Sequence, residues 1–271
     1  MLTINDVTSL SSRLACVLGL LVFSIVGCSD VGIDGGGGTG GTGATGGTGA
    51  TGGTAATGGV EPPPVSLFLP LTDGHVNGCS SPPLAGAEVC QVGTDNCVTS
   101  NVDGKAVLDL PANQVITYTI TKDGYAPRVF GDVTDETFHG GPQCWNMITD
   151  EEWAGLVEAG GGVWSPSISG VIVLGQVPFI AGVTYDLVDE TATAVYFDEA
   201  GNLNPDLTAT TSWGEGTFLE VTPGEYQVEF GGTATNCSPL TAWPGDAANR
   251  LRVPVLAGYF SYASMNCDGG L

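Results

Sequence analysis

The stretch Asn101-Val102-Asp103-Gly104-Lys105-Ala106-Val107-Leu108-Asp109-Leu110-Pro111 joins a turn to a run of alternating side chains. Ala106, Leu108 and Leu110 alternate with Lys105, Val107 and Asp109, which is the period-two pattern of a half-buried β-strand. The same alternation recurs at 116–121, 183–187 and 226–230. Short strands of this kind, separated by Gly, Pro, Asn and Asp, predict an all-β protein built from antiparallel sandwiches.

The second half of the chain repeats the motifs of the first in the same order. Pro83–Val89 matches Phe179–Tyr185, and Asn101–Pro111 matches Trp213–Pro223, with Gly216 at the position of Gly104. The sequence therefore predicts a duplicated small domain. We expect a first β-sandwich at 65–147, a linker at 148–166 and a second β-sandwich at 167–271. Within the linker, Thr149 and Glu152 form a capping box that predicts the start of a short amphipathic helix.

These motifs resemble those of carboxypeptidase regulatory-like domains. The resemblance rests on Pro83–Ala87, on Asp103-Gly104 followed by an alternating strand and Leu110-Pro111, and on the spacing from Tyr118 to Gly124-Tyr125. Val221–Val228 is similar to the "Pro-Gly-x-Tyr-x-Val" ending of the same motif. The resemblance implies transthyretin-like, Ig-like β-sandwiches that serve as accessory domains, without the zinc site of a carboxypeptidase.

The amino terminus predicts export. Leu14–Gly27 is an uncharged run that follows Arg13 and is too short to cross a bilayer, so residues 1–27 are typical of a signal peptide. Ile25-Val26-Gly27-Cys28 resembles the bacterial lipoprotein box. The resemblance implies a lipid on Cys28 that anchors the protein to a membrane. The alternative is an ordinary cleaved signal peptide with Cys28 merely nearby. Ser29, where an Asp would favour retention at an inner membrane, favours an outer-membrane lipoprotein that faces the periplasm or the surface.

Residues 28–64 predict a flexible tether. Gly35–Gly59 contains only Gly, Thr and Ala, so it lacks the apolar side chains that would offset the entropy lost on ordering. Pro62-Pro63-Pro64 stiffens the entry to the folded part.

Six cysteines beyond Cys28 predict disulfide bonds, because the count is even and the chain is exported. Six cysteines allow 15 pairings. We expect Cys90 with Cys97 across a hairpin, Cys237 with Cys267 within the second sandwich, and Cys79 with Cys144 as the remaining pair. A zinc site is the alternative, but it is disfavoured because the sequence has no Cys-x-x-Cys and its two histidines are isolated.

A net charge of −23 argues against nucleic acid and anionic lipid as partners. The sequence predicts no organic cofactor, and calcium is the candidate ion. Four side chains in one loop offer oxygens at alternating positions: Asp198, Asn202, Asn204 and Asp206. Ca²⁺ takes 6–8 oxygen ligands, although the spacing does not match an EF-hand.

No catalytic motif stands out, so we expect a protein that is not an enzyme. A Ser-His-Asp triad would need His75 or His139, and both lie in Gly-containing turns. Trp213 and Trp243 are the candidate ligand-binding residues, since sugars stack on exposed aromatic rings. The sequence thus favours a non-catalytic envelope lipoprotein that displays binding or adhesion domains for a glycan or an envelope protein. Alternatives are a structural spacer or subunit of an envelope assembly, and a hydrolase with an unrecognised site.

Overall fold

The computed structural model describes residues 62–74, 80–135, 144–165, 170–240 and 245–269. Predictions for the signal peptide, Cys28 and the tether up to residue 61 lie outside these ranges, as do those for His75, Cys79, His139 and Trp243. In the described ranges no helix has both the length and the apolar character needed to span a bilayer. Everything described below belongs to one body of contacts within 58–271.

The first repeat places its alternating apolar residues between two sheets. One sheet has the order β4-β1-β7, with β1 antiparallel to β4 and parallel to β7, and the facing strands have the order β3-β2-β5-β6. Leu67, Leu69 and Leu71 of β1 pack with Leu108 of β4 and Tyr118 of β5 in one core cluster. The strands are β1 (Val65–Asp73), β2 (Glu88–Gln91), β3 (Cys97–Thr99), β4 (Lys105–Leu110), β5 (Val115–Thr121), β6 (Arg128–Val133) and β7 (Trp145–Met147).

The second repeat uses the same plan with additional strands. Here β8 is antiparallel to β12 and parallel to β16, as β1 is to β4 and β7, and the facing sheet has the order β15-β13-β9. The two layers enclose a second core cluster that includes Tyr185, Phe218 and Phe230. The strands are β8 (Gly170–Val177), β9 (Val183–Leu187), β10 (Val195–Phe197), β11 (Leu203–Asn204), β12 (Glu215–Val221), β13 (Gly224–Gly232), β14 (Ala234–Pro239), β15 (Arg250–Val255) and β16 (Phe260–Gly269).

A buried hydroxyl group makes the same hydrogen bonds in each repeat. Ser100 and Thr210 each donate to one backbone carbonyl oxygen at 2.7 Å and accept from one backbone N–H at 2.9 Å. These hydrogen bonds establish the structural equivalence of the repeats more firmly than the sequence motifs do. The carbonyl and N–H partners are Leu84 and Ala87 for Ser100, and Ile180 and Val183 for Thr210.

The predicted alignment of the repeats is wrong by two residues at the second motif. Gly104 has φ +72° and donates its N–H to the carbonyl oxygen of Asn101 at 2.9 Å. Gly214, with φ +75°, makes the same turn by donating to Thr211 at 3.0 Å, so Gly214 and not Gly216 is equivalent to Gly104. Gly216 lies inside β12, where its missing side chain leaves room for the ring of Tyr185.

The predicted all-β class with sandwiches is confirmed, and the helix forms where the capping box placed it. Helix α1 (Asp150–Ala159) starts after Thr149, whose side chain accepts from the N–H of Glu152 while the Glu152 carboxylate accepts from the N–H of Thr149. Trp153 and Val157 are its buried residues, and Gly160 caps its end. The helix therefore packs through one apolar side.

The two sandwiches are joined by a strand pair that the sequence did not predict. Strand β16 runs parallel to β6, with Phe260 opposite Arg128 and Ser261 opposite Val129. This pairing continues the sheet of one repeat into that of the other, and gives a ten-stranded sheet that includes β14 beside β16. A third core cluster at this junction contains Trp153, Val171 and Phe260.

Two of the predicted disulfide bonds are confirmed. Cys90 is bonded to Cys97 across the β2–β3 hairpin, and Cys237 is bonded to Cys267 between β14 and β16. Cys144 is also a disulfide cysteine, and its predicted partner lies outside the described residues.

Candidate functional site

A cavity of about 490 Å³ opens where the two sandwiches meet. Both repeats and helix α1 contribute to its wall, and its volume lies in the range of small-molecule sites, roughly 300–1,000 Å³. Most of the wall is aromatic. The aromatic residues are Trp145, Trp153, Phe179, Phe197, Trp213, Phe260 and Tyr262.

Arg128 supplies the cation of this cavity. It is the first residue of β6 and is only 7% exposed. Its guanidinium carbon lies 4.7 Å from the centre of the Phe260 ring and 5.6 Å from that of Tyr262, with the Phe130 and Trp145 rings also within 6 Å. Its Nη1 donates to the carbonyl oxygen of Asn146. Burial lowers the pKa of Arg128 to about 10, so the group is still charged at neutral pH.

Glu215 supplies the carboxyl group of the cavity wall. It follows the Gly214 turn as the first residue of β12. Its Oε2 accepts from the indole Nε1 of Trp213 at 3.0 Å, and its Oε1 accepts from the hydroxyl of Tyr262 at 3.3 Å. Burial raises the pKa of Glu215, and the hydrogen bonds from Trp213 and Tyr262 together with the charge of Arg128 oppose that rise.

Two buried donors in the wall have no hydrogen-bond partner among the described residues. They are Nε of Arg128 and the indole Nε1 of Trp153. Trp153 is 2% exposed, stacks on Phe260 with ring centres 4.5 Å apart, and meets Trp164 edge to face at 5.9 Å. Buried polar groups in folded proteins are nearly always paired, so these two unpaired donors are unusual features of the cavity wall.

The structure places one of the two predicted ligand-binding tryptophans in this cavity. Trp213 is half-buried rather than fully exposed, and its backbone N–H donates to the Thr211 hydroxyl at 3.2 Å, within the turn that precedes β12. Trp243 lies outside the described residues. Ligand binding by Trp213 stays a prediction.

The predicted calcium loop packs behind Trp213. A Cβ atom on Gly201 would come within 2.9 Å of the Trp213 ring, so the loop backbone contacts the indole directly. Asp198 Oδ1 accepts from the N–H groups of Ala200 and Asn202 at 2.9 Å, and these hydrogen bonds, that of Asn202 foremost, lower the pKa of Asp198.

Asn204 also uses its side-chain oxygen within the loop. Asn204 Oδ1 accepts from the N–H of Asp206 at 2.9 Å. Both arrangements are Asx turns, which fix the loop through its own backbone. Calcium binding by Asp198, Asn202, Asn204 and Asp206 stays a prediction.

Among the described residues, one group of three acidic or cysteine side chains has ligand atoms close enough to share an ion. It consists of Glu88, Cys90 and Cys97. The two cysteines are bonded to each other, so their sulfur atoms are not free thiolates.

Local sequence patterns did not indicate several of the cavity residues, among them Arg128, Trp145, Glu215, Phe260 and Tyr262. They lie on four strands from both repeats, and the β6–β16 pairing brings them together. The equivalence of Gly214 with Gly104 is the one sequence signal near them, because it puts Trp213 and Glu215 on either side of a turn glycine.

The solved structures to which this chain is similar share little of its sequence. No protein-family model and no curated protein matches the chain. A minor pilin of Streptococcus agalactiae, GBS52, is 10% identical over 76% of this chain and 96% of its own, with a TM-score of 0.24. A variant of the shaft pilin spaA of Lactobacillus rhamnosus GG is 13% identical over 78% of this chain and 100% of its own, with a TM-score of 0.24. The Bacillus anthracis TIE protein is 13% identical over 76% of this chain and 34% of its own, with a TM-score of 0.22. Similarity at this level carries no argument about function.

Proposed function

We propose that this chain is a non-catalytic binding protein of the cell envelope that holds a glycan in the aromatic cavity between its two sandwiches. The observation that carries the proposal is the cavity itself, with its seven aromatic side chains and one buried cation. Such a wall suits a ligand that is apolar on its ring faces and polar at its edge.

A sugar ring matches that description. Its C–H faces stack on the indole ring of Trp213, and its hydroxyl groups can donate to Glu215 and accept from Arg128. A carboxylate has about four lone-pair positions, and Glu215 uses two of them within the protein. The cavity therefore offers both stacking surfaces and hydrogen-bonding edges to one ligand.

The acidic groups of the site support binding without hydrolysis. Glycoside hydrolysis usually needs two carboxyl groups that flank the scissile bond. Among the described residues that line the cavity, Glu215 is the one with a carboxyl group. Its two hydrogen bonds from Trp213 and Tyr262 hold it in the wall as a structural acceptor.

Export and lipid anchoring are part of the proposal. They are supported by Ile25-Val26-Gly27-Cys28 and by disulfide bonds in both repeats, since such bonds persist in oxidising compartments. Mass spectrometry of the native protein is expected to find residues 1–27 removed and a diacylglyceryl group on Cys28. An intact Met1 would contradict both export and anchoring.

A glycan array probed with the mature chain tests binding. We expect a defined set of glycans to bind the wild type, and Trp213→Ala to lose more than tenfold in affinity for them. Trp164→Ala is the matched control, because Trp164 is also half-buried and contacts Trp153 but does not line the cavity. No binding on the array, together with a stoichiometric envelope protein that co-purifies with the chain, would favour the structural-spacer alternative instead.

A further inference from the structure

We infer that the cavity selects a sugar that carries a carboxylate, such as a hexuronic acid, over the corresponding neutral sugar. This inference rests on the proposed glycan binding and deepens it. The carboxylate would pair with Arg128, and a second ligand oxygen would accept from Trp153.

Arg128 carries a buried charge without a direct ion pair among the described residues. A buried charge is costly unless it is paired. None of the ion pairs in the described part of the chain includes Arg128, so no described carboxylate lies within 4.0 Å of it. The surrounding rings, the Asn146 carbonyl oxygen and the more distant Glu215 carboxylate stabilise the cation without pairing with it directly. An anionic ligand group would supply that direct pair.

Two buried donors of the wall are left without a partner among the described residues. They are Nε of Arg128 and Nε1 of Trp153. Both side chains contact the same ring, because the guanidinium carbon of Arg128 and the indole of Trp153 lie 4.7 Å and 4.5 Å from the centre of Phe260. A hexuronic acid offers carboxylate, ring and hydroxyl oxygens around one ring, which is the set of acceptors that two such donors would take.

Glu215 adds an acceptor to the wall. It accepts hydrogen bonds and donates none while it is ionised, so it favours the hydroxyl edge of a sugar rather than its carboxylate. Arg128 thus presents donors and Glu215 presents an acceptor, and Tyr262 contacts both side chains. Together they would orient a ligand that carries both a carboxylate and hydroxyl groups.

The net charge of −23 does not remove this preference. Charges on the outer surface are screened beyond about 8 Å at physiological ionic strength, whereas a partly enclosed pair is screened much less. Among the described lining residues, the charged side chains are Arg128 and Glu215, so an anionic ligand group is favoured beside Arg128.

Isothermal titration calorimetry of the mature chain with two matched ligand pairs tests the inference. The pairs are methyl glucuronide with methyl glucoside, and methyl galacturonide with methyl galactoside. We expect at least one acid to bind at least tenfold more tightly than its neutral partner. Equal affinity within each pair would overturn the inference and leave glycan binding standing. If the only glycans that bind on the array lack a carboxylate, the inference is likewise overturned and glycan binding stands. If no glycan binds at all, the proposed function is overturned as well.

Two variants assign the preference to the named donors. Arg128→Met should reduce the acid-to-neutral affinity ratio to about one. Trp153→Phe keeps an aromatic ring but removes the Nε1 donor together with part of the indole, and it should weaken acid binding about threefold to tenfold even if Arg128→Met does not fold. Trp164→Phe, which leaves the cavity wall intact, should change neither ratio nor affinity. An undiminished preference in a folded Arg128→Met, or undiminished acid binding by Trp153→Phe, would contradict the assignment.

Discussion

The paired hydroxyl groups of Ser100 and Thr210 should differ in their contribution to stability, although they are structurally equivalent. Both residues are 4% exposed, and each accepts from a backbone N–H and donates to a backbone carbonyl. The difference lies in the carbonyl group. Ile180 keeps a second donor, since the side-chain Nε2 of Gln176 lies 2.6 Å from its oxygen. In the first repeat Leu71 occupies the position of Gln176 and has no such donor.

The expected cost follows from counting the groups left unpaired. Thr210→Val leaves one buried group without a partner, the N–H of Val183, and should lower the free energy of unfolding by about 1–3 kcal/mol. Ser100→Ala leaves two, the N–H of Ala87 and the carbonyl of Leu84, and should cost roughly twice as much.

Urea unfolding at pH 7 with the disulfides intact, followed by tryptophan fluorescence, measures both costs. The urea dependence of the free energy should be the same in all variants, because no large surface changes its exposure. Thr235→Val is the control, since that hydroxyl is exposed and donates to Asp268 at 3.0 Å, and its loss should cost less than about 0.5 kcal/mol. Equal costs for Ser100→Ala and Thr210→Val would refute the role assigned to Gln176.

Three further perturbations test the site and its support. Gly214→Ala should lower the free energy of unfolding by about 2–4 kcal/mol, because alanine is strained at φ +75° and its Cβ would lie 2.7 Å from the Phe179 side chain. A melting temperature equal to that of the wild type would contradict the role given to Gly214 in this turn. Glu215→Gln should gain stability relative to the wild type as the pH rises. Burial raises the pKa of Glu215 in the folded state, so its contribution is present below the ordinary glutamate pKa and is lost as the pH rises through the folded-state value. Urea midpoints for this pair that stay parallel from pH 4 to pH 7 would contradict that reasoning. Replacing Cys237 and Cys267 by serine removes a disulfide bond between cysteines 30 residues apart, and by loop-closure entropy it should lower the free energy of unfolding by about 3.6 kcal/mol. An unchanged unfolding midpoint would show that the bond does not constrain the unfolded chain.

The strands and the helix could be predicted because their signals are local. Period-two alternation in 105–110 reports which side chains face the core, and the structure buries Ala106, Leu108 and Leu110 as expected. The capping box of Thr149 and Glu152 spans four residues and can be recognised without any tertiary contact.

The alignment of the two repeats was harder to predict, because residue identity and hydrogen bonding select different glycines as the equivalent of Gly104. Matching the two prolines, Pro111 and Pro223, places Gly216 opposite Gly104. The turn is instead defined by a left-handed glycine that follows a buried hydroxyl residue by four positions, which selects Gly214. The longer tract in the second repeat also holds β10 and β11, which have no counterpart in the first.

Most of the candidate site could not be predicted from local patterns. Trp213 stood out because it lies beside a turn motif. Arg128 and Phe260 become neighbours only through the parallel pairing of β6 with β16, and no periodicity reports a contact between strands so far apart in sequence. Glu215 was hidden for another reason, since an acidic residue at the start of a strand usually faces solvent.

Indole N–H resonances report directly on whether the cavity between the sandwiches is the binding site. In the full mature chain labelled with ¹⁵N-tryptophan, saturating methyl glucuronide should shift the Nε1–H signals of Trp153 and Trp213 and leave that of Trp164 in place. Calorimetric binding of the same ligand without movement of the Trp153 and Trp213 signals would place the site elsewhere on the molecule and contradict the account.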